Sequence, residues 1–140
     1  MGLIEFIGEI YNPGKVGEID FNRNSKPPRR KYILLKFLIA ALAITGIEYL
    51  FVYTFYETKI KDILPPNGFL FAYLILSYKI NITPDYQNTG WVPFIIDNPF
   101  RFSDDVNRAS IMIKGLLWPG KFITTSFVDF YYLKDNKSNI

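Results

Sequence analysis

Ile33–Phe55 constrains the chain more than any other stretch, because Lys36 and Glu48 are the only charged residues in it. A helix crosses a bilayer with about 20 mostly apolar residues, and this run supplies them. Its thirteen Ile, Leu, Phe and Val side chains favour insertion by roughly 4–7 kcal/mol, whereas Glu48 opposes it by at most about 3 kcal/mol. Lys36 lies near the basic end, where its stem can follow lipid while the ammonium reaches the headgroups. Tyr49, Tyr53 and Tyr56 gather toward the other end, where an aromatic belt is expected. A helix buried in a soluble core is the weaker alternative. The run is apolar all round, and a 140-residue chain has little protein with which to wrap it. The expected fold class is a mainly α membrane protein with one transmembrane helix, over residues 32–56.

Residues 1–31 read as an N-terminal extended arm and basic linker. A short apolar stretch leads to a turn at Asn12-Pro13-Gly14, and Val16–Phe21 suits a short strand or an extended arm. Asn22–Lys31 is polar and basic, and Pro27-Pro28 holds off helix until just before Arg29. The N-terminus has no basic n-region and no Arg-rich amphipathic presequence, so the apolar segment is expected to act as an uncleaved signal-anchor. Arg23, Lys26, Arg29, Arg30 and Lys31 precede that segment, against Lys59 and Lys61 after it. The positive-inside tendency puts the N-terminus on the matrix or cytoplasmic side. The cluster Lys26, Arg29, Arg30 and Lys31 serves equally well as a topology signal and as a contact for anionic lipid, at about 1 kcal/mol per basic residue.

The C-terminal region, 57–140, carries weaker signals. Pro65-Pro66-Asn67-Gly68 reads as a turn. Residues 69–78, Phe69–Tyr78, are apolar but only about half a membrane thick, which makes them a candidate second, short membrane-embedded segment. A loop over 83–102 is broken by Pro84, Gly90, Pro93 and Pro99. Ser103 suits an N-cap, with Asp104 and Asp105 in the positive first turn of an amphipathic helix over 103–118. Val106, Ala109, Ile113, Leu116 and Leu117 give that helix one apolar face, and Pro119-Gly120 ends or kinks it. The aromatic segment 121–133 fits strand and helix equally.

The chain has neither Cys nor His, which removes thiolate chemistry, disulfides, the usual zinc sites and the commonest general base at neutral pH. A net charge of +3 is too mild to imply nucleic acid. No phosphate loop, nucleophile elbow or dinucleotide fingerprint is present. No catalytic residue, cofactor or metal is therefore expected, a structural phospholipid apart. Glu48 is the sharpest candidate, since an ionisable residue within a span is a functional hypothesis by default. With no second acid, His or Asn visible inside the segment, an intramembrane polar contact is the better reading. Asp97, Arg101, Asp104, Asp105 and Arg108 form an interface charge cluster that capping and ion pairing explain more readily than a divalent cation does.

These features lead to an expected function: a non-catalytic accessory subunit of a multi-subunit membrane complex, in contact with other subunits and lipid. A respiratory-chain or ATP synthase assembly of a mitochondrial inner membrane is favoured over a bacterial inner membrane, on size, basicity and an A/T-rich residue bias. The alternatives are an oligomeric proton or ion conductor using Glu48, and a bacterial envelope or secretion component with a periplasmic binding region.

Overall fold

The apolar run folds as composition dictates, into one uninterrupted helix. The computed structural model describes residues 3–21, 32–54, 60–92 and 98–138, and their order is α1 (Leu3–Tyr11), β1 (Glu18–Asp20), α2 (Ile33–Thr54), α3 (Ile60–Lys79), β2 (Asn81–Thr83) and α4 (Phe102–Ser138). The chain is mainly helical. Among the described residues α2 is the one helix long and apolar enough to cross a membrane. Its 22 residues extend about 33 Å at ~1.5 Å per residue.

Two compact units share the chain. One comprises Met1–Asn22 with Ile80–Leu116, the other Arg23–Lys79 with Leu117–Ile140, so their boundary falls inside α4.

In the second unit, small residues carry the helix contacts. Ala40 and Ser77 have no exposed surface, and Ser126 is also buried. Around them Phe37 of α2 stacks on Phe130 at 4.2 Å and meets Phe127 edge-on at 5.1 Å, both from α4. Ile33, Phe37, Ala40, Ile44 and Glu48 share one stripe of α2 at three- and four-residue spacing. The remaining surface is uncovered: only 11% of the most apolar window of α2 is buried.

Two local expectations are corrected here, and one left open is decided. Pro65-Pro66-Asn67-Gly68 is helical, not a turn, so Phe69–Tyr78 belongs to a 20-residue helix. The prolines fall early in α3, where each removes one backbone bond, and the apolar run that follows holds the helix against α2. Pro119 likewise does not end α4. The adjacent Gly120 N–H donates to the Tyr73 hydroxyl of α3 at 3.0 Å, which satisfies a backbone group beside the proline break. The segment 121–133 is thus helix, continuous with 103–118.

The first unit builds on an antiparallel pair of strands, with Glu18 opposite Thr83, Ile19 opposite Ile82 and Asp20 opposite Asn81. Its N-terminal arm is not wholly extended, because Leu3–Tyr11 is helical. A nine-residue helix is marginal alone, and tertiary contact supports this one: the Gly8 Cα lies so close to the Phe100 backbone that a Cβ would collide with it. In α4 the inward stripe is Ser103, Asn107 and Ser110, while Ile113 and Leu116 of the apolar face are exposed. The helix presents its polar side to its own unit.

Candidate functional site

Glu48 meets a partner that the sequence hid. With the Asn67 amide oriented so that its nitrogen faces the carboxylate, it donates to both Glu48 oxygens, at 2.8 and 3.1 Å. The pair lines a cleft of about 350 Å³ between α2 and α3, with Ile44, Leu70, Phe71 and Leu74 as its other walls. Reading the Pro-Pro-Asn-Gly segment as a turn concealed Asn67; the absence of charge from Ile63 to Tyr78 was the available signal. A bidentate amide contact spares both groups an unpartnered position in a low-dielectric setting, where each orphaned polar group is costly. A second, wider groove of about 540 Å³ runs among Phe71, Leu74, Tyr78, Ile123 and Phe127, with Lys79 at its border. Its lining is almost wholly apolar.

The first unit is closed by a buried polar knot. Asn107 is fully buried and uses every hydrogen-bonding position of its side chain. Its Oδ1 accepts from the Gly17 and Asp85 N–H groups at 2.8 and 3.2 Å. Its Nδ2 donates to the Lys15 and Asn88 carbonyls at 2.8 and 2.9 Å. Asn88 donates in turn to the Lys15 carbonyl and to the Ser103 hydroxyl. Gly14 is obligatory here, because a Cβ would overlap the Ser103 hydroxyl and the Asn88 amide.

Ser103 does not cap α4. The helix begins at Phe102, and the Ser103 N–H donates to the Glu9 carboxylate at 3.0 Å, 94 positions earlier in the chain. Glu9 accepts also from the Gly14 N–H at 2.7 Å. Burial pushes the Glu9 carboxyl up, but hydrogen bonds from the Ser103 and Gly14 N–H groups, the Ser103 hydroxyl and the Phe102 N–H outweigh it and hold it below the usual carboxylate range. A depressed folded value means stability that is complete above the unfolded value, about 4.3 for a glutamate, and fades as pH falls through the folded one. Acid titration of the first unit should therefore loosen α1 below about pH 4.3. Glu9→Ala should lose about 0.5–2 kcal/mol at neutral pH and flatten that titration, as amide exchange at Ser103 would report.

The described members of the charge cluster are divided among several partners. Asp104 is buried and accepts from the Asn98 and Asp105 N–H groups at 3.1 and 2.9 Å. Arg101 donates to the Asn12 side chain at 2.8 Å, and Arg108 to the Thr89 carbonyl at 2.9 Å. Arg108 also stands 3.8 Å from Asp105. Burial, with the nearby Asp104 and Glu5 carboxylates, raises the Asp105 carboxyl. Asp97, Lys26, Arg29, Arg30 and Lys31 lie outside the described residues. Among the described residues no group of three or more acids is placed to hold a metal ion. Glu9, Asn88 and Asn107 were not foreseen as determinants, although Ser103, Asn107 and Ser110 already share one helical stripe in the sequence.

Comparison of the chain with protein-family models, with curated proteins and with solved structures finds no match to any of them.

Proposed function

We propose that the chain is a non-catalytic accessory subunit of a multi-subunit membrane complex, anchored through α2. One observation carries this reading, the inverted distribution of side chains. The largest fully buried side chains are Asn107, Thr89, Asp104, Ser77, Ser103 and Ser126, while Leu42, Leu50, Phe69, Phe71, Leu116 and Trp118 are 60–77% exposed. Scattered exposed leucines need no explanation, but apolar surface on this scale marks contact with lipid or protein. Small residues at helix contacts with large apolar ones outside is the arrangement that lipid favours, since backbones must approach closely when water supplies no drive. In α1, Leu3, Phe6, Ile7 and Ile10 add an exposed apolar face suited to a neighbouring subunit. The groove bordered by Lys79 suits a phospholipid tail whose phosphate meets the ammonium.

An energy-transducing complex, of the respiratory chain or ATP synthase type, in a mitochondrial inner membrane is the preferred setting, on the size, basicity and residue bias of the chain. Membranes washed with carbonate should retain the chain. On native gels after mild detergent it should migrate within a large assembly, and migration as a free 16.3 kDa monomer would end the subunit reading.

The Glu48–Asn67 pair favours a second reading, an oligomeric proton or ion conductor. Glu48→Gln keeps a hydrogen-bonding group against Asn67 but removes the titratable proton. In the subunit reading this variant assembles with normal complex activity; in the conductor reading ion flux disappears with assembly intact.

A further inference from the structure

Given that α2 spans the membrane, as proposed above, the strand pairing fixes what α3 must do. β1 ends at Asp20, thirteen residues before α2 begins; β2 starts at Asn81, two residues after α3 ends. Asp20 and Asn81 are direct partners in the ladder, so they lie on the same side of any membrane. Between them the chain must cross an even number of times. Arg23–Lys31 cannot supply a crossing, because its five basic residues are excluded from hydrocarbon and nine residues are far short of the ~20 a spanning helix needs. The strands cannot sit in hydrocarbon either, since a two-stranded sheet leaves open edges. One crossing by α2 therefore requires another by α3.

We propose that α2 and α3 cross the membrane as a helical hairpin, with the strands and the basic linker on one face and the segment joining the two helices on the other. The two helices pack with the geometry this needs. Glu48, six residues before the end of α2, pairs with Asn67, seven residues after the start of α3, while Ile44, four residues earlier in α2, lines a groove with Leu74, Ile75 and Tyr78 farther along α3. Contacts that advance along α3 as they recede along α2 mean antiparallel neighbours, with two polar groups matched in depth. Residues Ile63–Tyr78 carry no charge, which as helix is about 24 Å at ~1.5 Å per residue, short of the ~30 Å hydrocarbon layer. Lys61 and Lys79 flank that run in sequence, and lysine stems make up such a deficit by reaching to the headgroups. Glu57, Lys59, Lys61 and Asp62 make the sequence between the two apolar runs charged, as a connection emerging into water requires. The hairpin also gathers charge on one side, since Lys79, Arg101, Arg108 and Lys114 join the five basic residues before α2. The matrix or cytoplasmic face then holds the strands and everything from Ile80 to Leu116, which a single crossing would have placed on opposite sides.

The chain has no cysteine of its own, so single cysteines report position directly. Phe21→Cys, Gln87→Cys and Thr58→Cys are made in the full chain and exposed, in sealed vesicles of each orientation, to a maleimide that cannot cross membranes. Phe21→Cys and Gln87→Cys should react from the same side and lose all labelling from the other, with Thr58→Cys showing the reverse. In parallel, mild oxidation of the Glu18→Cys, Thr83→Cys double variant in membranes should join the strands and shift the chain's gel mobility; failure to join removes the premise. Labelling of Phe21→Cys and Gln87→Cys from opposite sides overturns the hairpin in favour of one crossing. Labelling of all three from a single side, with the chain still resistant to carbonate, also overturns it. Release of the chain by carbonate instead overturns the spanning reading on which the hairpin rests.

Discussion

Asn107→Ala is expected to detach the N-terminal segment from the first unit, at a cost above about 3 kcal/mol. The substitution strips this partner from the Gly17 and Asp85 N–H groups and from the Asn88 carbonyl, and leaves the Lys15 carbonyl with only its bond from Asn88. Each buried polar group left unpaired costs about 1–3 kcal/mol, and local water can relieve only part of that sum. Replacement by aspartate is no remedy, because it sets an acceptor against two carbonyls. Limited proteolysis of the purified chain reads the result: cleavage within residues 12–17, slow in the parent, becomes fast in the variant. Unchanged protection would show that the knot is dispensable.

Gly120→Val is expected to force α3 and α4 apart. A Cβ at Gly120 would lie 2.6 Å from the Tyr73 ring and 2.8 Å from the Ser77 Cβ, and would overlap the Ser77 hydroxyl. No rotamer of valine avoids a collision made by its first carbon. Overpacking of this kind costs about 1–3 kcal/mol, and parting the helices also breaks the Gly120–Tyr73 hydrogen bond that adjoins Pro119. Thermal unfolding in detergent should show a clear drop in midpoint. Tyr73→Phe, which removes only the hydroxyl, should cost about 0.5–1.5 kcal/mol. A valine variant as stable as the parent would mean that this contact does not form.

Local composition made α2 legible, because an apolar run of that length has few alternatives to helix. The identity of its neighbours was not legible. Ile33, Phe37, Ala40 and Ile44 face protein, but in a helix apolar on every side nothing local distinguishes them from Leu34 or Leu38. Prolines misled twice, at Pro65-Pro66 and at Pro119, since the usual penalty assumes that no neighbour compensates, and here Tyr73 does so for the second. The N-cap of α4 failed for a related reason: a serine at a helix start invites local capping, whereas the group that accepts is Glu9, remote in the chain. The α4 stripe was misjudged by weighing only its apolar side, when Ser103, Asn107 and Ser110 were the inward set. Glu48 stood out in the sequence as a charge within an apolar run; its neighbour Asn67 needed the fold.

The reach from Glu9 to Ser103 also sets a clock for biosynthesis. At ~5–20 residues per second, roughly 5–20 s pass between translation of the acceptor and of the helix start it binds. During that interval α1, with Leu3, Phe6 and Ile10 uncovered, has been made without the partner that later holds it. Both strands, and both long helices between them, leave the ribosome before α4 does. The segment from α1 to β1 is thus made well before the helix that secures it, and a nascent chain stalled anywhere before Phe102 presents it loose to whatever chaperone or lipid is near.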